Sequence, residues 1–284
     1  MNPIAFHFNG KSFNKYSKQE LAVIYNYLDN NSSDNDQSDY ELFTFDNTYC
    51  SQRNEVSNPM LIDCCRKLNL QYVNLGEDIY LSKIKSNYPA DLRPRQHLVF
   101  QGWKRTDYFP LVKVLSLYHY LKDNPNFKKK YLLMLDQADL LLVDNPRHKI
   151  ELFKSKKCGM IFAAESKCMY FAMRVRQSEH YADTNKYFAN YTDVKDFETK
   201  IYSQDCYTSN GVKMLYLNGG AMMCEKDYFI SLVEKYLGFI VEFMNLNEQT
   251  VMHHLHFMYY PEILVDNKCE MFQCMGPKKV EVKL

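Results

Sequence analysis

The sequence predicts an α/β protein in which a mostly parallel central sheet is covered by helices on both faces. Three observations support this prediction. Apolar runs of strand length alternate along the chain with segments whose apolar residues have helical spacing. The strand candidates are nearly continuous apolar runs, which is typical of strands buried on both faces. The 284 residues are 46% hydrophobic, enough for one large domain or two modest ones.

The first 39 residues are predicted to form an N-terminal extension and a polar linker. Lys18 to Leu28 has helical spacing, and Asp29 to Asp39 is almost free of apolar residues. Residues 40–284 are predicted to form the α/β domain. Its strands are expected at Tyr40 to Phe45, Leu70 to Gly76, within Tyr131 to Val143, at Gly159 to Ala164 and at Met214 to Asn218. Its helices are expected at Pro59 to Asn69, Tyr108 to Asn124, near Glu151 to Ser155, from about Glu225 and from about Asn247.

Composition narrows the classes of function. With 35 basic and 34 acidic residues, the formal net charge is +1, which argues against a dedicated nucleic-acid-binding protein. The nine cysteines lack zinc-site spacing, so free thiols in a reducing compartment are expected. The start has no secretory pattern, and no apolar run reaches about 18 residues, so we expect a soluble, intracellular protein without a membrane partner. The oligomeric state stays open.

Two aspartates interrupt the apolar stretch YLLMLDQADLLLV. Asp136 and Asp139 follow a predicted buried strand, as Glu165 and the loop after Phe45 do elsewhere. In open α/β sheets, ligands bind beyond the carboxyl ends of the strands. Carboxylates suit Mn²⁺ or Mg²⁺, which leave coordination positions for diphosphate oxygens. The pair is therefore a candidate metal site for a nucleotide sugar, and the alternative is that the two aspartates cap a turn.

Two later segments carry further polar candidates. In YLNGGAMM, the two glycines after the strand fit either a close backbone approach or a tight turn. Asn247, Glu248 and Gln249 stand at a predicted helix start, where they would bind sugar hydroxyls or cap the helix. The histidines of MHHLH (residues 253, 254 and 256) suggest zinc, but HExxH is absent and they do not share one helix face. A zinc- or thiol-based protein is not expected.

From about residue 41 to 275, these segments resemble in order the glycosyltransferase domain of the procollagen lysyl hydroxylase and collagen glycosyltransferase family, which has a Rossmann-like GT-A fold. The resemblance rests on LMLDQADLLLV, IFAAESKCMY, YLNGGAMM and NEQTVMHHLHFMYYPEILVDNKCEMFQ, with LQYVNLGED and the lysine of FPLVKVLSLYHYL in register. It implies a UDP-sugar donor, Mn²⁺ and a hydroxyl acceptor such as hydroxylysine in a collagen-like protein.

The resemblance also implies roles for individual residues. Asp136 and Asp139 match the family's metal-binding acidic pair. Asn247 and Glu248 fall in the stretch near the transferred sugar, where Glu248 would orient or deprotonate the acceptor hydroxyl. The residues that match the nucleotide and diphosphate part of the site are Thr44, Phe45, Lys113, Asp136, Asn218, Gly219 and Gly220.

The chain departs from the family pattern in four places. Ala138 stands where a tyrosine is usual, Met169 replaces an aromatic residue, and the acidic stretch is reduced to NLNE at residues 245–248. The family's late histidine, a third metal ligand, has no counterpart in MFQCMGPKKVEVKL. Two hypotheses follow. The first is a metal-dependent transferase that moves glucose or galactose from a UDP-sugar. The second is a catalytically degenerate relative that acts as a binding or assembly protein.

Overall fold

The computed structural model describes residues 3–7, 17–19, 22, 36–45, 60–75, 112–136, 140–168, 191–242, 248–275 and 280–281. The strands in these ranges are β1 (Ala5–His7), β2 (Tyr40–Phe45), β3 (Val73–Asn74), β4 (Tyr131–Asp136), β5 (Leu140–Leu142), β6 (Met160–Glu165), β7 (Thr208–Ser209), β8 (Val212–Lys213), β9 (Tyr216–Glu225), β10 (Ile263–Asp266) and β11 (Phe272–Cys274). The α-helices are α1 (Met60–Lys67), α2 (Val112–Asp123), α3 (Ile150–Ser155), α4 (Tyr191–Tyr202), α5 (Lys226–Glu242) and α6 (Glu248–Tyr259), and a short 3-10 helix, Pro146–Lys149, precedes α3.

The central sheet has six strands in the order β10-β6-β9-β4-β2-β3. Strand β9 runs antiparallel to both β4 and β6, while the pairs β10–β6, β4–β2 and β2–β3 are parallel. Five strands therefore share one direction and their carboxyl ends lie at one edge. The predicted α/β class with a mostly parallel sheet is confirmed.

Apolar cores on both faces of this sheet explain the unbroken apolar runs. Along β4, Leu132 and Met134 join one core, and Leu133 and Leu135 join the other. The first core includes buried residues of α2, α5 and α6, and the second includes residues of α1, α3 and a smaller sheet. Alternate residues of a strand point to opposite faces, so a strand covered on both faces needs apolar residues throughout. In the part of the chain that the structure describes, no helix has the length and apolar character to cross a bilayer.

The smaller sheet has the order β11-β1-β5. The stretch YLLMLDQADLLLV therefore contributes one strand to each sheet. Its first strand, β4, ends in the central sheet at Asp136, and its second, β5, begins in the smaller sheet at Leu140. Strand β1 belongs to the predicted N-terminal extension, and pairs in parallel with β11 and antiparallel with β5. The predicted helix Lys18 to Leu28 lies mostly outside the described residues, and the boundary at residue 39 stays a prediction.

Three local details differ from the sequence prediction. The strand expected over Leu70 to Gly76 is limited to β3 at Val73–Asn74 in the described part. The two glycines of YLNGGAMM lie inside β9 rather than after a strand. A hairpin of β7 and β8 was missed, although Asn210 and Gly211 at its turn, with φ of 52° and 72°, form the Asn-Gly pair that favours such turns.

Candidate functional site

A buried lysine joins three elements at the carboxyl end of β4. That strand is apolar until its last residue, Asp136, whose side chain is 31% exposed. The Nζ of Lys113, from the first turn of α2, donates to Asp136 Oδ1 at 2.7 Å and to the Gly219 carbonyl oxygen at 2.6 Å. A buried ammonium is stable only when it is paired, so these two acceptors hold the positive charge at this position.

The Gly219 carbonyl belongs to a bulge in β9. The register with β6 shifts at this point, so that the pairing skips residues 219–221. Within the bulge, the Gly220 N–H donates to Asn218 Oδ1 at 2.8 Å. A Cβ added at Gly220 would lie 2.5 Å from His7 Nε2 in β1, so a side chain does not fit there without a shift of His7. The tight-turn interpretation is therefore wrong, and a close approach explains Gly220, with His7 as the approaching group.

A buried carboxyl group ends β6. Glu165 is 1% exposed, and Gln249 in the first turn of α6 donates through Nε2 to Glu165 Oε1 and to the Leu217 carbonyl oxygen, the latter at 2.7 Å. Burial raises the pKa of Glu165 to about 7, against the opposing effects of the Gln249 hydrogen bond and of nearby His253 and His7. Near neutral pH this carboxyl can therefore accept or release a proton. Gln249 ties the start of α6 to both β6 and β9.

All seven residues predicted to bind the nucleotide and diphosphate lie at this edge of the sheet. Thr44 and Phe45 end β2, in register with Leu135 and Asp136 on the adjacent β4. Both are buried, and Thr44 Oγ1 has no hydrogen-bond partner among the described residues. The predicted residues found here are Thr44, Phe45, Lys113, Asp136, Asn218, Gly219 and Gly220.

Of the three remaining predicted site residues, the structure describes only Glu248. Asp139 and Asn247 lie outside the described residues, so the acidic metal pair stays a prediction. Glu248 is the first residue of α6, which agrees with the predicted helix start. Its assigned role beside the sugar stays a prediction.

Two residues at this edge were not recognised as partners from the sequence. Gln249 was considered as a ligand for sugar hydroxyls, whereas its amide holds Glu165 and Leu217. Glu165 served only to mark a strand end, and that position is the signal that could have identified it. No sequence pattern links His7 in the first strand to the bulge of β9, because the contact depends on the packing of the two sheets.

The three histidines of α6 are all buried. His253 Nδ1 lies 2.7 Å from Glu198 Oε1, and His256 Nδ1 donates to the Ile263 carbonyl oxygen at 2.8 Å. Burial lowers the pKa of His254 and of His256 to about 4. His253 and His256 therefore have different hydrogen-bond partners, Glu198 and the Ile263 carbonyl.

No protein-family model matches the chain, and no curated protein matches it. Among solved structures, 4-diphosphocytidyl-2C-methyl-D-erythritol synthase from Anaerococcus prevotii is 10% identical, with 88% of this chain and 93% of that chain covered and a TM-score of 0.33. Mouse xyloside xylosyltransferase 1 is 11% identical, with 80% of this chain and 84% of that chain covered and a TM-score of 0.34. The geometry of the site, rather than these similarities, carries the function proposed below.

Proposed function

We propose that the chain is a GT-A type glycosyltransferase that moves a hexose from a UDP-sugar to a hydroxyl acceptor. The observation that carries the proposal is the buried Lys113 ammonium, held between Asp136 and the Gly219 carbonyl at the carboxyl edge of the sheet. This edge is where open α/β sheets bind ligands. A fixed positive charge there is suited to the phosphate oxygens of a nucleotide diphosphate.

The chemistry of Asp136 fits a divalent cation. Its carboxylate is partly exposed, and Asp139 follows it closely in the sequence. Carboxylate oxygens are the donors that Mn²⁺ and Mg²⁺ prefer. Asp136 and Asp139 would hold the ion. When bound, it would neutralise the charge of the departing UDP.

The other residues at this edge would position the donor and the acceptor. Thr44 and Phe45, at the end of β2, would contact the uridine. Glu248, at the start of α6, and Asn247, which precedes it in the sequence, would face the sugar, with Glu248 orienting or deprotonating the acceptor hydroxyl. Gln249 supports this arrangement, because its hydrogen bonds fix the first turn of α6 against β6 and β9.

The resemblance to the collagen-modifying family supports glucose or galactose as the transferred sugar. It also supports hydroxylysine of a collagen-like protein as the acceptor. Both details rest on the order of LMLDQADLLLV, IFAAESKCMY and YLNGGAMM along the chain.

A second candidate is a binding protein that holds UDP or a UDP-sugar without turnover. It is favoured by the ion pair itself, since the Lys113 ammonium occupies Asp136 Oδ1 and competes there with a divalent cation. The departures from the family pattern at Ala138 and in the acidic stretch point the same way.

The decisive experiment is release of UDP from UDP-glucose and UDP-galactose, with and without Mn²⁺, alongside a thermal shift with UDP. We expect metal-dependent release from one donor. Asp136→Asn should abolish it and keep the fold, because the amide oxygen can still accept from Lys113. Asp227→Asn is the matched control, since that side chain is 92% exposed on α5. A thermal shift without release would establish the binding protein. If UDP is not released and no thermal shift occurs, both candidates are overturned.

A further inference from the structure

A second polar cluster is formed by residues other than the Lys113–Asp136 pair. Cys168 follows β6, Glu198 lies in α4, and His253 lies in α6. One ligand atom from each of these residues lies within 4.8 Å of the other two. Thiolate sulfur, imidazole nitrogen and carboxylate oxygen are the three donor types that zinc takes in proteins.

The carboxylate of this cluster has an unsatisfied oxygen. Glu198 is fully buried, and its Oε1 lies 2.7 Å from His253 Nδ1. Its second oxygen, Oε2, is also buried and has no hydrogen-bond partner among the residues that the structure describes. A buried carboxylate oxygen without a partner is unfavourable, and an ion is one of the groups that can satisfy it.

We infer that Cys168, Glu198 and His253 bind Zn²⁺. Three protein ligands leave a fourth tetrahedral position for water. A thiolate, a carboxylate and a neutral imidazole carry two negative charges in total, which Zn²⁺ balances. A neutral centre is what a buried position favours. On binding, the Cys168 thiol releases its proton to solvent as the bond between Sγ and zinc forms, with no change of oxidation state.

The position of the cluster bears on how the ion reaches the site and on which segments it would link. Cys168 is only partly buried, so the ion and its water can reach the site from solvent. The bound ion would link the segment after β6 to α4 and α6. The ligand Cys168 lies three residues after Glu165, whose carboxyl group accepts a hydrogen bond from Gln249.

The Glu198–His253 pair with a neighbouring thiol also has a purely structural explanation. The 2.7 Å hydrogen bond alone accounts for the contact between His253 and Glu198 Oε1, although it leaves Glu198 Oε2 without a partner among the described residues. The two explanations differ in measurable ways. The zinc site needs both a metal ion and the Cys168 sulfur, whereas the hydrogen-bonded pair needs neither.

The test uses the full chain purified without chelator, dialysed against metal-free buffer and assayed for metal by mass spectrometry. We expect about one zinc ion per chain. Cys168→Ser and Glu198→Gln should each weaken zinc binding by at least about tenfold, since even loss of a residue that only orients a ligand weakens metal sites that much. Cys206→Ser is the matched control. Cys206 is likewise partly buried, and its sulfur lies near Thr208 Oγ1 rather than in the cluster.

A second measurement does not depend on the folding of a variant. The wild-type chain is freed of metal and loaded with Co²⁺, and the absorption of a cobalt–thiolate bond is recorded in the near ultraviolet. Appearance of that band, and its loss in Cys168→Ser, supports the site. Its absence from the wild type, together with less than about a tenth of a zinc ion per chain, would overturn the inference and leave a buried hydrogen-bonded pair. Asp136→Asn should retain its zinc, so failure of this site is distinguishable from failure of the proposed transferase.

Discussion

The side chain of Lys113 is only 8% exposed, whereas that of its partner Asp136 is 31% exposed. The asymmetry means that Lys113 depends on Asp136 and on the Gly219 carbonyl for its stability as a charged group. Asp136 keeps part of its side chain open to solvent. The pair therefore forms a fixed positive charge with an accessible carboxylate beside it.

We expect Lys113→Met to weaken UDP binding by about 2 kcal/mol, or roughly 30-fold in Kd, because it removes the buried charge that would face the diphosphate. Isothermal titration calorimetry with UDP measures the change. Lys122→Met is the matched control, since Lys122 lies on the same helix, is 52% exposed and pairs with Glu234. Equal effects of the two substitutions would show that Lys113 has no special place in the binding site.

We expect Gly220→Ala to lower the free energy of unfolding by about 1–3 kcal/mol, because its Cβ would meet the His7 ring in the bulge of β9. Urea denaturation measures the loss. In a His7→Ala background the same substitution should cost at least about 1 kcal/mol less, since residues in contact do not behave additively. The same loss in both backgrounds would show that the contact with His7 does not decide the choice of glycine.

Glu165 should make the protein less stable as the pH rises. Burial raises its pKa from 4.5 to about 7, so the folded state keeps a proton that the unfolded state has already released. This contribution is complete below pH 4.5 and disappears as the pH rises through 7. We expect Glu165→Gln to remove a loss of about 2–3 kcal/mol between pH 5 and pH 8.

The measurement for Glu165 is urea denaturation of wild type and variant across that range. Glu151→Gln serves as control, because Glu151 is 83% exposed on α3. The idea fails if wild type and Glu165→Gln have parallel pH profiles.

His256 should have the opposite effect, at acid pH. Its Nδ1 donates to the Ile263 carbonyl, so the neutral ring accepts the Tyr202 hydroxyl at Nε2 over 3.3 Å. Burial lowers the pKa of His256 from 6.5 to about 4, so stability is present above pH 6.5 and is lost as the pH falls towards 4. The contribution amounts to about 2 kcal/mol between pH 7 and pH 5.

The His256→Gln variant tests this dependence, because its amide can both donate and accept. Its unfolding free energy should fall less than that of wild type between pH 7 and pH 5. An equal fall in both proteins would assign the acid sensitivity to other groups, of which His254, also buried with a pKa near 4, is the first candidate.

The strands buried on both faces were predicted closely from the sequence. Tyr40 to Phe45 was placed correctly, and Gly159 to Ala164 differs from β6 by one residue at each end. Their unbroken apolar character leaves few alternatives. Strand β9 was predicted too short, since two glycines usually interrupt a strand. Here they lie in a bulge, where a Cβ at Gly220 would meet His7 of β1.

The candidate site was only partly predictable, because several of its features depend on contacts between segments that are distant in sequence. Asp136 was found because a carboxylate at the end of an apolar run is conspicuous, and Lys113 was found through the family resemblance. The raised pKa of Glu165 follows from burial in the folded chain, where its contacts include Gln249, a residue distant in sequence. Cys168, Glu198 and His253 have no shared motif, because three separate elements bring them together.

The pairing of β1 with β11 also constrains the order of events during synthesis. His7 and Cys274 stand 267 positions apart, yet they are partners in the same sheet. Strand β1 can pair with β5 early, but its other edge stays open until almost all of the described chain has left the ribosome. Non-local pairing of this kind slows folding, and an open strand edge invites association with other chains. Closure of the smaller sheet is therefore a late step, and the nascent chain is exposed to aggregation until that step is complete.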